Sequence, residues 1–166
     1  MTERTYISMQ ANGLLQEFKR HIRMTSDDLD AELRSKMMAA VISAEHHIGK
    51  VILRSEFVTT RSFASAVILK VPNIIVQGLE VDGVAVTGWK LVGRVLTLPQ
   101  GVTGETMTVT YEAGYECIPD DMKAAILMHA TTLFNNPADS VETLAKASQN
   151  LLRHYRWELD DDGEQD

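Results

Sequence analysis

The period of the hydrophobic pattern changes twice along the chain, and this limits the fold more than any other feature. Leu29, Leu33, Met37, Val41, Ala44 and Ile48 recur at three- and four-residue steps, the spacing of one helical face. In the middle block the period drops to two: Leu96 and Leu98 flank Thr97, and Met107, Val109 and Tyr111 alternate with Thr108 and Thr110. The helical spacing then returns at Met122, Ala125, Ile126, His129 and Leu133. Strands set apart from helices, rather than alternating with them, predict an α+β domain with N-terminal helices, a central antiparallel strand-rich insertion over about 55–112 and C-terminal helices.

Local signals sharpen this outline. Leu14, Leu15, Phe18 and Ile22 share one face of a short first helix. Thr25-Ser26-Asp27-Asp28 offers cap oxygens and early carboxylates, which predicts a second helix from Asp27 to Ile48, with Gly49 as its stop. Pro72 separates Val67-Ile68-Leu69 from Ile74-Ile75-Val76. Val81-Asp82-Gly83-Val84 is the strongest turn signal, because Asp-Gly accepts the positive φ angles of a type I′ hairpin. That turn sets Val81 opposite Val84 and Leu79 opposite Val86, all four on one face. Pro119-Asp120-Asp121 starts a third helix and Asn135-Asn136-Pro137 ends it. A last helix, capped by Asp139 or Ser140, places Leu144, Ala147, Leu151 and Tyr155 on one side.

At 166 residues the chain suits one domain, over 1–157, followed by an acidic flexible tail over 158–166. The net charge of −7 is concentrated there: six of the 23 acids lie in the last nine residues, leaving 17 against 16 bases. A near-neutral body has no excess of cations for phosphates, which argues against sequence-reading of nucleic acid. No apolar run reaches the ~20 residues of a membrane span, and the N-terminus has no signal-peptide pattern. A single cysteine, Cys117, excludes an intramolecular disulfide.

Catalytic signatures are missing: no phosphate-binding glycine loop, dinucleotide fingerprint, zinc-protease helix or nucleophile elbow occurs. Adjacent His46 and His47 point about 100° apart on a helix and cannot chelate one metal as an i, i+4 pair would. His129 sits on an apolar stripe and reads as a core or interface histidine, Asp120 and Asp121 as helix-start acids, and Cys117 as a small buried hydrophobe. Lys19, Arg20 and Arg23 form a basic face expected to be solvated. Met24, Met37, Met38, Met122 and Met128 read as core filling, with an adaptable interface as the alternative.

Three stretches in order carry a family resemblance. Ala44-Glu45-His46-His47-Ile48-Gly49-Lys50-Val51-Ile52 resembles the end of the long helix in phage head–tail connector proteins. Val109-Thr-Tyr111-Glu-Ala-Gly114-Tyr115, followed by Ile118-Pro119-Asp120-Asp121-Met122, is similar to that family's strand-to-helix junction, and Leu151-Leu152-Arg-His-Tyr155-Arg156 to its closing motif. Lys50 replaces the usual arginine. The resemblance implies a ring-forming adaptor, twelve-fold around its axis, under the portal of a long-tailed double-stranded DNA phage or prophage. It implies no catalytic site, cofactor or metal, and no membrane. The expected partners are the portal, neighbouring copies and a stopper or tail completion protein, with DNA passing through the channel without sequence-specific binding. The expected location is the virion neck, reached from the host cytoplasm during assembly. Glu45, Gly49, Lys50, Tyr111, Gly114, Tyr115, Pro119, Leu152, Tyr155 and Arg156 are the matched structural or interface positions, and the Asp82-Gly83 hairpin is expected to touch a neighbour. A different class, a small regulatory or ligand-binding α+β module, is the alternative; a hydrolase is a distant third.

Overall fold

The computed structural model describes residues 1–6, 8–136 and 144–156, apart from the side chains of residues 8–10. The expected caps Asp139 and Ser140, Pro137 and the acidic tail lie outside the described residues. The chain is α+β and divides into two compact units, Met1–Glu17 with Val51–Ile118, and Phe18–Lys50 with Pro119–Asp166. Helix α1 (Ser8–His21) runs across the division in sequence and buries Ala11, Leu14, Leu15 and Phe18.

The first unit holds eight strands: β1 (Thr2–Tyr6), β2 (Ser55–Ser62), β3 (Ala66–Ile68), β4 (Ile75–Val81), β5 (Val84–Ala85), β6 (Lys90–Val92), β7 (Val95–Thr97) and β8 (Thr106–Ala113). They form a five-stranded antiparallel sheet in the order β1-β2-β8-β4-β5 and a three-stranded one in the order β3-β7-β6. The centre is β8, where Met107, Val109, Tyr111 and Ala113 point inward. Both sheets supply one core: Phe57, Leu79 and Val109 come from the larger sheet, Val67 and Leu96 from the smaller, with Leu91 packed against them. Pro72 separates β3 from β4 as expected, and the two strands join different sheets.

Strand β1 is not legible as a strand in the sequence, since Thr-Glu-Arg-Thr-Tyr is mostly polar. It is fixed by its register on β2, where Arg4 lies opposite Phe57. The Arg4 guanidinium sits 4.2 Å from the Tyr6 ring centre and 5.4 Å from that of Phe57, and its Nε donates to Ser55 Oγ at 3.0 Å. A second hairpin, β6 to β7 through Gly93-Arg94, is likewise absent from the sequence reading; Gly93 takes φ 56° at its turn.

In the second unit, helices α2 (Asp30–Ile48), α3 (Asp120–Asn135) and α4 (Lys146–Leu152) pack together, and a 3-10 turn (Arg153–Tyr155) follows α4. Leu33, Met37, Val41, Ala44 and Ile48 of α2 are buried, as are Met122, Ala125, Ile126 and His129 of α3. Leu133 is only half-buried. Met37 and Met122 fill the core, whereas Met128 is exposed.

Three expectations need correction. Helix α2 begins at Asp30 rather than Asp27, with Leu29 at the cap position and exposed. Ser26 Oγ instead accepts from the N–H of Asp28 in a local turn, which competes with helix. Lys19 is buried rather than solvated: its ammonium pairs with Asp27 and lies 2.6 Å from Asp30, and the hydrogen bonds to Asp27 and then Asp30 raise its pKa above the ordinary lysine value. Arg20 and Arg23 are exposed. Leu144 is buried as expected but precedes the last helix, which starts at Lys146 and buries Ser148 and Leu152 rather than Ala147 and Leu151; Ser148 Oγ donates to the Ala125 carbonyl at 3.0 Å. A buried serine is tolerated once its hydroxyl is satisfied.

Gly114 ends β8 where no side chain fits. Its φ is +126°, its N–H donates to the Pro72 carbonyl at 2.8 Å, and a Cβ would stand 2.6 Å from Arg54 Cα and 2.7 Å from its backbone nitrogen. Both obstacles are backbone. Gly114→Ala is therefore expected to cost more than about 2 kcal/mol of stability, read from urea unfolding; an unchanged midpoint would refute the close approach.

Candidate assembly surfaces

The matched positions resolve into structural groups. Tyr111 stacks on Phe57 with ring centres 5.2 Å apart, and its hydroxyl accepts from the Lys70 N–H at 3.4 Å; burial raises its pKa. Tyr115 forms an isolated parallel bridge to Leu53, and its N–H donates to the Ile52 carbonyl at 3.1 Å. Gly49 adopts φ 70° and donates its N–H to the Glu45 carbonyl, closing α2; Lys50 follows, half-buried. Pro119 caps α3, Leu152 is buried, and the Tyr155 hydroxyl donates to Asp121 Oδ1 at 2.7 Å. Arg156 is exposed.

The Asp82-Gly83 turn has the expected conformation, with φ 50° and 78°, and Val81 pairs with Val84. The register keeps Val81 and Val84 on one face, and the Val86 N–H donates to the Leu79 carbonyl at 2.8 Å. Leu79 and Val81 are buried and Val86 partly so, but Val84 is 68% exposed because β5 runs for only two residues. Asp82 is also bound within its own chain: its carboxylate accepts from the N–H groups of Thr106 and Glu105 and from the Thr106 hydroxyl, which holds its pKa below the usual aspartate value. These bonds tie the turn to the start of β8.

Two sheet faces also stand out. Paired positions across strands share a face, so the registers define rows. On the three-stranded sheet, Ile68, Val95 and Val92 form one row, 64%, 37% and 74% exposed. Ala66, Thr97 and Lys90 form the next, beside a recess lined by Lys90, Thr97, Leu98 and Pro99. On the five-stranded sheet, the side of β8 opposite the core shows Thr108, Thr110 and Glu112, with Glu3, Glu56, Val58, Thr60 and Glu80 on the flanking strands. Glu112 accepts from Arg54 Nε at 2.9 Å and from Gln77 Nε2 at 2.7 Å. Sequence reading missed the apolar row. Its signal was the loss of alternation at Val67-Ile68-Leu69, Leu91-Val92 and Val95-Leu96, as in strands apolar on both faces.

Among the described residues, no three His, Cys, Asp or Glu side chains group as a metal site, and no helix is long and apolar enough to cross a membrane. Cys117 is exposed rather than buried, because it lies in the loop between β8 and α3. His129 is 3% exposed and its Nδ1 lacks a hydrogen bond.

The chain shares its fold with proteins of particle necks. A chain in the neck of an empty gene transfer agent (GTA) particle, computed with C6 symmetry, superposes with a TM-score of 0.74 at 20% identity, covering 94% of this chain and 95% of that one. One in the neck of the native particle, computed with C12 symmetry, gives 0.73 at 20% identity over 94% of both. A chain of the native virion gives 0.67 at 20% identity, covering 92% and 94%. No protein-family model and no curated protein sequence matches the chain.

Burial holds His129 below its ordinary pKa of 6.5. The folded state then binds fewer protons than the unfolded one just below pH 6.5, so this stabilisation is complete above that value and is lost as pH falls through it. His129→Leu should flatten that part of the profile when urea midpoints are compared from about pH 8 down to about pH 5. Parallel profiles for parent and variant would contradict a neutral buried imidazole.

Proposed function

We propose that this chain is a head–tail connector subunit, which forms a ring under the portal of a phage or prophage particle and joins the DNA-filled head to the tail. The observation that carries this reading is the fold shared with GTA neck chains over almost the full length of both partners. Such coverage takes in both compact units rather than one of them. The three resembling stretches of sequence point the same way. A twelve-fold ring is part of the proposal and is supported by the C12 symmetry used for the native GTA neck.

In this reading the portal lies on one side of the ring, a stopper or tail completion protein lies on the other, and DNA passes through without sequence-specific contacts. Work of this kind needs rigid faces and no reacting atom, consistent with scattered titratable groups. A closed ring needs two different surfaces per subunit, because cyclic contacts are heterologous. The ligand-binding alternative finds no support in the shared fold.

The test mixes the purified chain with a purified portal assembly from the same genome and follows the mixture by sedimentation and negative-stain microscopy. Cosedimentation with a closed collar of density on one portal end is expected. A portal that sediments without this chain over a range of ratios would overturn the assignment.

A further inference from the structure

The core of the first unit lies between its two sheets, since the inward rows of both contribute to it. Their outward faces therefore point in opposite directions, and they differ in chemistry. The outward face of the three-stranded sheet carries the row Ile68, Val95, Val92, with Lys90 as its charged side chain and no acid. The outward face of the five-stranded sheet is threonine-rich and acidic. Glu3, Glu56 and Glu80 lie on it with half-exposed Ile75, while Arg54 is engaged by Glu112 and the Met1 ammonium donates to the Thr60 carbonyl at 2.6 Å.

Resting on the neck-ring reading, we propose that these faces dock on one another between neighbouring copies: the Ile68–Val95–Val92 row of one subunit covers the threonine-rich sheet of the next, with Lys90 directed at its glutamates. The occupant of each face is a second copy of this chain. Charge complementarity selects the arrangement. Pairing two apolar faces about a two-fold axis would leave each Lys90 without an acid on the opposing face, and pairing two acidic faces would oppose their glutamates. The mixed contact sets Lys90 against several glutamates and so joins unlike charges. Unlike faces on opposite sides of one sandwich make a head-to-tail contact, and this propagates until a ring closes. Half-exposed Val58 lies within the threonine-rich face and offers an apolar seat for the row. Three strands spaced about 4.8 Å apart give that row a width of roughly 10 Å.

The contact is read from the full chain in solution. An isotope-labelled sample is titrated with unlabelled chain to about 1 mM, where even weak association registers, and amide shifts are followed by NMR at low and high salt. Both faces should shift together, and salt should weaken the effect. Lys90→Glu alone and Glu56→Lys alone should each weaken association about tenfold. Mixing the two variants should restore it, since the exchanged charges then oppose one another across the contact with their signs reversed. Both substitutions are at surface positions, and the dilute spectrum verifies that each variant is folded. No shifts up to that concentration would overturn the proposal. So would shifts confined to the apolar row, which mark a two-fold dimer or another partner, and so would a failure of the mixed pair to recover. Collars that form on the portal with either single variant as readily as with the parent would reject this contact and leave the neck assignment standing. Loss of portal binding while the two faces still titrate against one another would do the reverse.

Discussion

The pleat of β8 organises the strand-bearing unit, because this strand has neighbours on both sides and its two rows of side chains meet different surroundings. Met107, Val109, Tyr111 and Ala113 enter the core, while Thr108, Thr110 and Glu112 face outward. Burying each large apolar member contributes roughly 1.5–3 kcal/mol, and a register slip of one residue would exchange the rows. Two devices protect the register. A bulge between Val76 and Gly78 returns Leu79 to the inner face, and the Asp82 carboxylate binds the first residues of β8 to the β4–β5 turn. Tyr111 belongs to a row that runs from Arg4 through Phe57 to Val76, so cation, stacked rings and aliphatic side chain join four strands.

The helical unit relies on satisfied polar groups to a greater degree. Lys19 enters the protein interior only because Asp27 and Asp30 surround its ammonium, which ties the end of α1 to the start of α2. Ser148 reaches the Ala125 carbonyl, and Tyr155 reaches Asp121 in the first turn of α3. Each of these joins segments distant in sequence. A buried lysine, serine or tyrosine hydroxyl costs little once paired and much when unpaired.

Elements defined by strong local grammar could be read directly: the period-two run of β8, the Asp82-Gly83 turn, the glycine stop of α2 and the proline start of α3. What escaped was decided by distant partners. The polar strand β1 exists because β2 offers an edge to pair with, and Lys19 is buried because acids eight and eleven residues later surround it. Ser148 outranked Ala147 because a carbonyl on α3 was waiting for its hydroxyl. The resembling stretches marked residues that stabilise strand ends and helix ends, whereas the apolar row of the small sheet depended on a hairpin, β6–β7, that local pattern did not reveal. Assembly surfaces are the hardest feature to read in a single sequence, since their exposure becomes visible only once the core is known.

The proposed neck role rests on a fold shared with neck chains over nearly the whole sequence and on two unlike sheet faces that could serve a repeating assembly. Cryo-electron microscopy of an assembled particle neck containing this chain examines that most directly, because it counts copies and shows which faces they share. A closed ring of this chain around the channel axis, with each copy contacting its neighbours through two different surfaces, is the predicted result. A neck with density for the portal and tail but none for this chain, or a single copy outside the ring, would contradict it.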